Sequence, residues 1–353
     1  EMGASDVFIR PGSPVWYRVN GRLFPSGRFS WVSREELFDM AMLLFTSVQV
    51  AGFRQELELD ASHVIKSGDH AGARFRVSMI YSDDHGVELV LRYINPVIET
   101  PDALGVPDEV VEWSERPRGL VLVTGPTGSG KSTSLSSLIR RIQLTKPVHI
   151  LTIESPVETV YPRDGVGMVT QREVGKDTLS FQNALVSAMR DSPDVILVGE
   201  MRTNDEISAT VEAADTGHLT FSTLHTKSAE ETILRITSKF EGEEKRDILA
   251  RLSSSLVGIM SQQLLQRDGR GRVAVHEMLP VDREVSEMVM AGDVMGIHDY
   301  MMKRRISMDH QLLRMVASGD IGYHEALGHA MDRSGFIELA HGPNVARVID
   351  FDS

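Results

Sequence analysis

The run Gly119-Leu120-Val121-Leu122-Val123-Thr124 leads without a break into Gly125-Pro126-Thr127-Gly128-Ser129-Gly130-Lys131-Ser132-Thr133. The first part is short, apolar and β-branched, the pattern of a strand buried on both faces. The second matches G-x-x-x-x-G-K-[ST], and apolar residues at Leu135, Leu138, Ile139 and Ile142 recur at helical spacing after it. Strand, glycine-rich loop and helix in this order make a phosphate cradle. The glycines let backbone N–H groups turn inward, the helix presents its positive end, Lys131 reaches the β- and γ-phosphates, and the Ser132 hydroxyl can ligate Mg²⁺. Gly125, Pro126, Thr127, Gly128, Ser129, Gly130, Lys131, Ser132 and Thr133 are therefore the candidate nucleotide-binding residues, with Ser132 the candidate Mg²⁺ ligand for bound ATP.

Working outward, residues 149–153, 195–198 and 219–223 are further near-continuous apolar runs, and Ile207, Val211 and Ala214 recur at helical spacing between two of them. Strands alternating with helices predict an α/β fold with a doubly wound, mostly parallel sheet. Upstream the texture differs. Residues 6–10, 15–19, 73–81 and 87–93 read as short alternating strands, and Ser33 with Glu36 forms a capping box that opens a helix to about residue 45. The sequence thus predicts a smaller α+β domain over 1–97 and a linker over 98–112, where Pro101 and Pro107 interrupt regular structure. The P-loop domain follows over 113–353. From about residue 243 to 333 it reads as mainly helical, with a glycine-rich break at Gly269 and Gly271.

Length and composition bound the functional classes. The 353 residues suffice for two domains with real cores. The formal charge of −13 argues against a surface built throughout to grip nucleic acid, so direct nucleic-acid binding is not expected. The sequence has no cysteine, which excludes a thiolate zinc site or a catalytic thiol and suits a reducing cytosol. No apolar run reaches the ~20 residues of a spanning helix, and the opening residues lack a signal-peptide pattern. Membrane contact is therefore expected to be peripheral.

Hydrolysis requires a carboxylate near the metal and a group to orient water. Glu200 follows residues 195–198, and Glu154 follows residues 149–153, with Glu158 shortly after. In an open parallel sheet, residues just past the carboxyl ends of strands face the ligand crevice. His218 and His225 bracket the run 219–223 and are candidates to sense and relay the γ-phosphate. A shared zinc ion does not fit them, since seven strand residues separate them by about 23 Å.

With these residues in place, the chain resembles the secretion-superfamily ATPases, the PilT/DotB class of hexameric motors. Residues 119–124 and the loop look like that family's Walker A, Ile150-Leu151-Thr152-Ile153-Glu154-Ser155-Pro156-Val157-Glu158 like its Asp box, Ile196-Leu197-Val198-Gly199-Glu200-Met201-Arg202 like its Walker B, and residues 216–226 like its His box. Gly3-Ala4-Ser5-Asp6-Val7 and Arg74-Phe75-Arg76-Val77 resemble its PAS-like N-terminal domain. The resemblance implies a RecA-like core, a homohexamer, and Arg76 and Arg92 as arginines that meet the phosphates when the domains close about the Pro96–Pro107 segment. Arg190 and Arg202, which flank the Walker B strand, rank below them as ion-pair formers.

Some positions depart from the pilus-retraction pattern. Ser155 stands where retraction members carry an acid, Thr203 replaces the acid often found after G-E-x-R, and the retraction signature of the C-terminal part is missing around Asp282-Arg283-Glu284-Val285. Ser155 and the altered tail look more like the DotB/TraJ branch of type IVB secretion and conjugative transfer, whereas Gln171-Arg172-Glu173-Val174 and residues 198–202 look closer to PilT. The expectation is a cytoplasmic ATPase, peripheral to the inner membrane, that docks on a secretion or conjugation channel. Its alternatives are a PilT-like retraction motor that docks on pilus platform proteins and, in another class, a nucleotide-gated docking subunit with negligible turnover.

Overall fold

The computed structural model describes residues 4–19, 22–29, 31–68, 70–82, 86–94, 96–188, 190–267 and 271–341. Gly3 and Gly269 lie outside them. The chain divides into two compact units. The first comprises Glu1–Ile98 with Thr152–Pro162 and Thr170–Ala184, and the second comprises Glu99–Leu151, Arg163–Val169 and Leu185–Ser353. The Asp-box segment from Thr152 thus belongs to the same unit as the N-terminal residues.

In the first unit, β1 (Asp6–Ile9), β2 (Trp16–Val19), β3 (Arg22–Pro25), β4 (Glu58–Val64), β5 (Arg74–Ser82) and β6 (Gly86–Ile94) form an antiparallel sheet of order β3-β2-β1-β6-β5-β4. Helices α1 (Arg34–Met42) and α2 (Ser47–Glu56) pack on this sheet, and Leu37, Ala41, Phe53, Val77, Met79 and Leu89 make the core between them. Ser33 caps α1 in the box the sequence predicts, its side chain accepting from the Glu36 N–H while Glu36 returns to the Ser33 N–H. Thr46 and Gln49 do the same for α2. Strands β3 and β4 and helix α2 carry little apolar pattern. β3 is exposed along its length, and β4 alternates polar residues at a sheet edge, so backbone pairing rather than burial defines both.

The P-loop sheet has order β13-β12-β7-β11-β10-β8-β9. Its strands are β7 (Gly119–Thr124), β8 (His149–Glu154), β9 (Met168–Glu173), β10 (Val195–Val198), β11 (Leu219–Leu224), β12 (Leu256–Gln266) and β13 (Arg272–Pro280). β7, β10, β11 and β12 run parallel, and β13 returns antiparallel to β12. The helices are α3 (Asp108–Trp113), α4 (Lys131–Thr145), α5 (Phe181–Ala188), α6 (Asn204–Asp215), α7 (Ala229–Thr237) and α8 (Gly242–Ser255), followed after β13 by α9 (Arg283–Ala291), α10 (Val294–Arg304), α11 (Met308–Ser318), α12 (Tyr323–His329) and α13 (Arg333–Ala340). Leu120, Leu122, Val211, Ile233, Leu252 and Ile259 are central to a core under α6, α7 and α8.

The sequence predicts mainly helix over 243–333, and here the structure differs: Leu256–Gln266 and Arg272–Pro280 are the paired strands β12 and β13, with helix on either side. Leu256-Val257-Gly258-Ile259-Met260-Ser261-Gln262-Gln263-Leu264-Leu265 has no clear period because β12 is buried along most of its length, its polar residues Ser261, Gln262 and Gln263 included, so spacing does not separate strand from helix.

One buried acid organises this hairpin against the helices. Glu277 of β13 accepts from the Ala229 N–H at 2.7 Å and from the Met308 N–H at 2.8 Å, the first residues of α7 and α11. Each carboxylate oxygen thus satisfies an otherwise orphaned helix donor. Burial pushes the Glu277 carboxyl up to about 8. Among the described residues no helix is long and apolar enough to cross a membrane.

Candidate nucleotide site

The loop between β7 and α4 is built as the sequence predicts. Gly130, with φ +90°, is the N-cap of α4, and Gly128, with φ +81°, has open space where a Cβ would stand. Lys131 is 8% exposed, and its Nζ donates to the Gly125 and Pro126 carbonyls at 2.7 and 3.1 Å, so the ammonium is folded into the loop. Ser129 is buried, and its Oγ has no hydrogen-bond partner within the protein. Ser132 and Thr133 at the start of α4 are exposed. An orphaned buried hydroxyl, an oriented ammonium, an open glycine and a helix N-terminus suit the phosphates of a nucleotide. Among the described residues no group of three or more His, Asp or Glu side chains is placed to hold a metal ion.

Past the ends of β10 and β11, Glu200 and His225 meet. His225 Nε2 lies 3.2 Å from Glu200 Oε1, and its Nδ1 lies 3.4 Å from the Thr127 hydroxyl. Arg202 grips the other carboxylate oxygen, its Nε and Nη2 donating to Oε2 at 2.8 and 2.6 Å. The imidazole therefore joins the carboxylate after β10 to the phosphate loop. His218 is not part of this cluster. It precedes β11 at the end paired with Gly119, opposite to the loop, and its Nδ1 stands 2.9 Å from the Ala213 carbonyl. The sequence shows that the two histidines bracket one strand; the parallel pairing of β11 with β7 decides that only His225 faces the loop.

Glu154, Glu158, Arg76 and Arg92 belong to the first unit. Glu154 accepts from the Thr152 hydroxyl at 2.7 Å and from the Gln171 amide at 3.3 Å. Burial, the largest influence, pushes its carboxyl up to about 7 against these hydrogen bonds. Arg76 and Arg92 sit directly opposite each other in the β5–β6 ladder. Arg76 donates to Asp60 at 2.9 Å and to Glu158 at 3.4 Å, and Arg92 donates to the buried Asp6 at 2.8 Å. Burial raises Asp6, while its hydrogen bonds from Arg92 and Ser5 and the charges of Arg92 and Arg18 outweigh that and hold the carboxyl below the usual range.

Sequence reading missed the clasp beneath this segment. Glu173, 1% exposed, accepts from the Ser62 hydroxyl and from the Val157 N–H at 3.1 Å, and lies 3.5 Å from Arg74, whose guanidinium donates to the Val157 carbonyl at 2.8 Å and to Ser62 Oγ at 2.7 Å. Its members lie far apart in sequence: Arg74, Val157 and Glu173 fall in separate quoted motifs, and nothing local joins them to one another or to Ser62. Thr203, the apparent departure after Walker B, is the N-cap of α6, with its hydroxyl accepting from the Glu206 N–H.

The sequence profile of type II/IV secretion system proteins matches residues 63–269. The chain belongs to that family. The type IV pilus retractation ATPase PilT of Pseudomonas aeruginosa is 41% identical over 279 residues, covering 79% of this chain and 79% of that protein. The crystal structure of the pilus retraction motor PilT with bound ADP aligns at 35% identity with a TM-score of 0.85, covering 95% of both chains. The ATPase DotB of Legionella pneumophila aligns at 29% identity with a TM-score of 0.82, covering 92% of this chain and 91% of that one. The α/β fold predicted from the sequence is that of these type II/IV secretion system relatives, a RecA-like core with a smaller N-terminal domain and a helical C-terminal part. The family match spans Glu154, the phosphate loop, Glu200 and His225.

Proposed function

We propose that the chain is a subunit of an ATP-driven type IV pilus retraction motor. The enzyme class is that of a P-loop ATPase, supported by family membership and by the array in which His225 links Glu200 to the phosphate loop. This array is the observation that carries hydrolysis, since a loop alone explains binding only. The branch is favoured by the PilT relatives, which are more similar in sequence than DotB: 41% and 35% identity against 29%. That reverses the order in which the sequence motifs place the two readings. The Ser155 and Asp282 departures weigh less than identity over most of the chain. The likeness to DotB supports secretion or conjugation as the second reading.

In this reading the loop N–H groups, the Ser129 hydroxyl and Lys131 bind the β- and γ-phosphates. Ser132 holds Mg²⁺, which supplies charge neutralisation to the phosphates when bound. Glu200, held by Arg202 and His225, and Glu154, whose carboxyl burial pushes up to about 7, are the carboxylates that position metal and water. Glu158 holds Arg76. Arg76 and Arg92 are further phosphate ligands, and nucleotide contact requires them to exchange Glu158, Asp60 and Asp6 for phosphate oxygens. Six copies form the working ring, on the cytoplasmic side of the inner membrane, against pilus platform proteins.

The test is ATP hydrolysis by the purified chain, sized by light scattering, with and without Mg²⁺ and beside Lys131→Ala. Metal-dependent turnover by a hexamer, lost in the variant, is expected. Tight binding without turnover overturns the motor in favour of a docking subunit. Capture of secretion-channel proteins instead of pilus platform proteins from the native host overturns the retraction branch.

A further inference from the structure

We propose that Gln262 is a positioning residue for the phosphate loop, a role that rests on the ATPase reading above. Gln262 lies on β12 beside β7, one residue past the Ser261–Thr124 pair, and is 3% exposed. Its side-chain amide bridges two parts of the nucleotide site. Nε2 donates to the Ser129 carbonyl at 2.6 Å, and Oε1 accepts from the Ser134 hydroxyl of α4 at 2.8 Å. The bond to Ser129 spans 133 residues of sequence.

The glycines of the motif reveal how closely this residue supports the loop. A Cβ on Gly125 would stand 2.2 Å from the Gln262 backbone carbonyl, and a Cβ on Gly130 would stand 2.8 Å from Gln262 Nε2. Gly128 alone of the three faces open space. Glycine is therefore needed at 125 where the loop rests on the Gln262 main chain, and at both 125 and 130 by the positive φ of +144° and +90°. The loop is supported from below by one residue, through its main chain at one end and its side chain at the other. With the Ser129 carbonyl pinned, the neighbouring N–H groups keep the orientation that phosphate oxygens require. A loop released from this support has to be reordered by the nucleotide, which weakens binding and leaves the hydrolytic groups in place.

The experiment measures fluorescent ATP-analogue affinity and steady-state kcat and KM for wild type, Gln262→Met and Ser134→Ala, with thermal melts to establish folding. Gln262→Met fills a similar volume and removes both bonds; Ser134→Ala keeps the bond to Ser129. The expected result is a rise of about tenfold or more in Kd and KM for Gln262→Met, with kcat at saturation within about threefold of wild type, and a rise below about threefold for Ser134→Ala. Wild-type affinity in Gln262→Met, or a loss confined to kcat, overturns the role. If Gln262→Met does not fold, Gln262→Glu replaces it. Its carboxyl donates to Ser129 only when protonated, so its affinity relative to wild type should be recovered near about pH 6 and lost near about pH 8.5; wild-type affinity at both overturns the role. Failure of the wild-type chain to bind the analogue sinks the ATPase reading instead.

Discussion

Glu200 and His225 share a contact of 3.2 Å, Oε1 to Nε2, and the far side of the same imidazole stands 3.4 Å from the Thr127 hydroxyl. The histidine thus touches both the carboxylate after β10 and the loop that receives the phosphates. Removing the ring leaves the phosphate cradle intact and frees one oxygen of Glu200. His225→Ala is expected to lower kcat by about 10²-fold while ATP affinity stays within about twofold, as read by steady-state kinetics beside direct binding. An equal loss in binding would show that the ring serves the loop alone.

Glu200→Gln keeps the size of the side chain and removes its charge. The array around it predicts that ATP binds with near wild-type affinity and that turnover falls by about 10²- to 10⁴-fold. Unchanged phosphate release would take Glu200 out of the hydrolytic group.

Glu154 carries a pH signature. Its folded value of about 7 lies above the ordinary 4.5, so the carboxyl is protonated through the acidic range and becomes a base only as pH rises. If it activates water, kcat falls on the acid side with a midpoint near 7, and Glu154→Gln removes that limb along with most of the activity. A pH–rate profile without an inflection between about 6 and 8 argues against this use of Glu154.

Glu277 bears on stability rather than chemistry. Its folded value near 8 is raised above 4.5, so the native state binds the extra proton between those values. Stability from this group is complete below about 4.5 and is lost as pH rises toward 8. Thermal melts from about pH 5 to 9 should show a smaller decline for Glu277→Gln than for wild type, from a lower starting midpoint, because an amide cannot accept from both the Ala229 and Met308 N–H groups.

The Glu173–Arg74 clasp pairs a buried carboxylate with a partly buried guanidinium. Glu173→Gln leaves the Arg74 guanidinium among Ser62 and the Val157 carbonyl without its counter-charge, and the expected loss is about 3–5 kcal/mol in chemical denaturation. A loss below about 1 kcal/mol would show that water already reaches the pair.

The sequence by itself determined the phosphate loop, because Gly125 to Ser132 is a local signal whose strand, turn and helix are contiguous. It also determined the buried strands β7, β8, β10 and β11 with the helices α4 and α6 between them, and the Ser33–Glu36 cap, for the same reason. Tertiary structure decided what depends on pairing between distant segments. The parallel register of β11 on β7 places His225 toward the loop and His218 at the far end. The β12–β13 hairpin, whose first strand is buried along most of its length and therefore lacks a period, brings Gln262 beneath the loop and Glu277 to two helix ends. A buried amide or carboxylate finds partners wherever the fold delivers an unpaired N–H or carbonyl, and no spacing along the chain records that meeting.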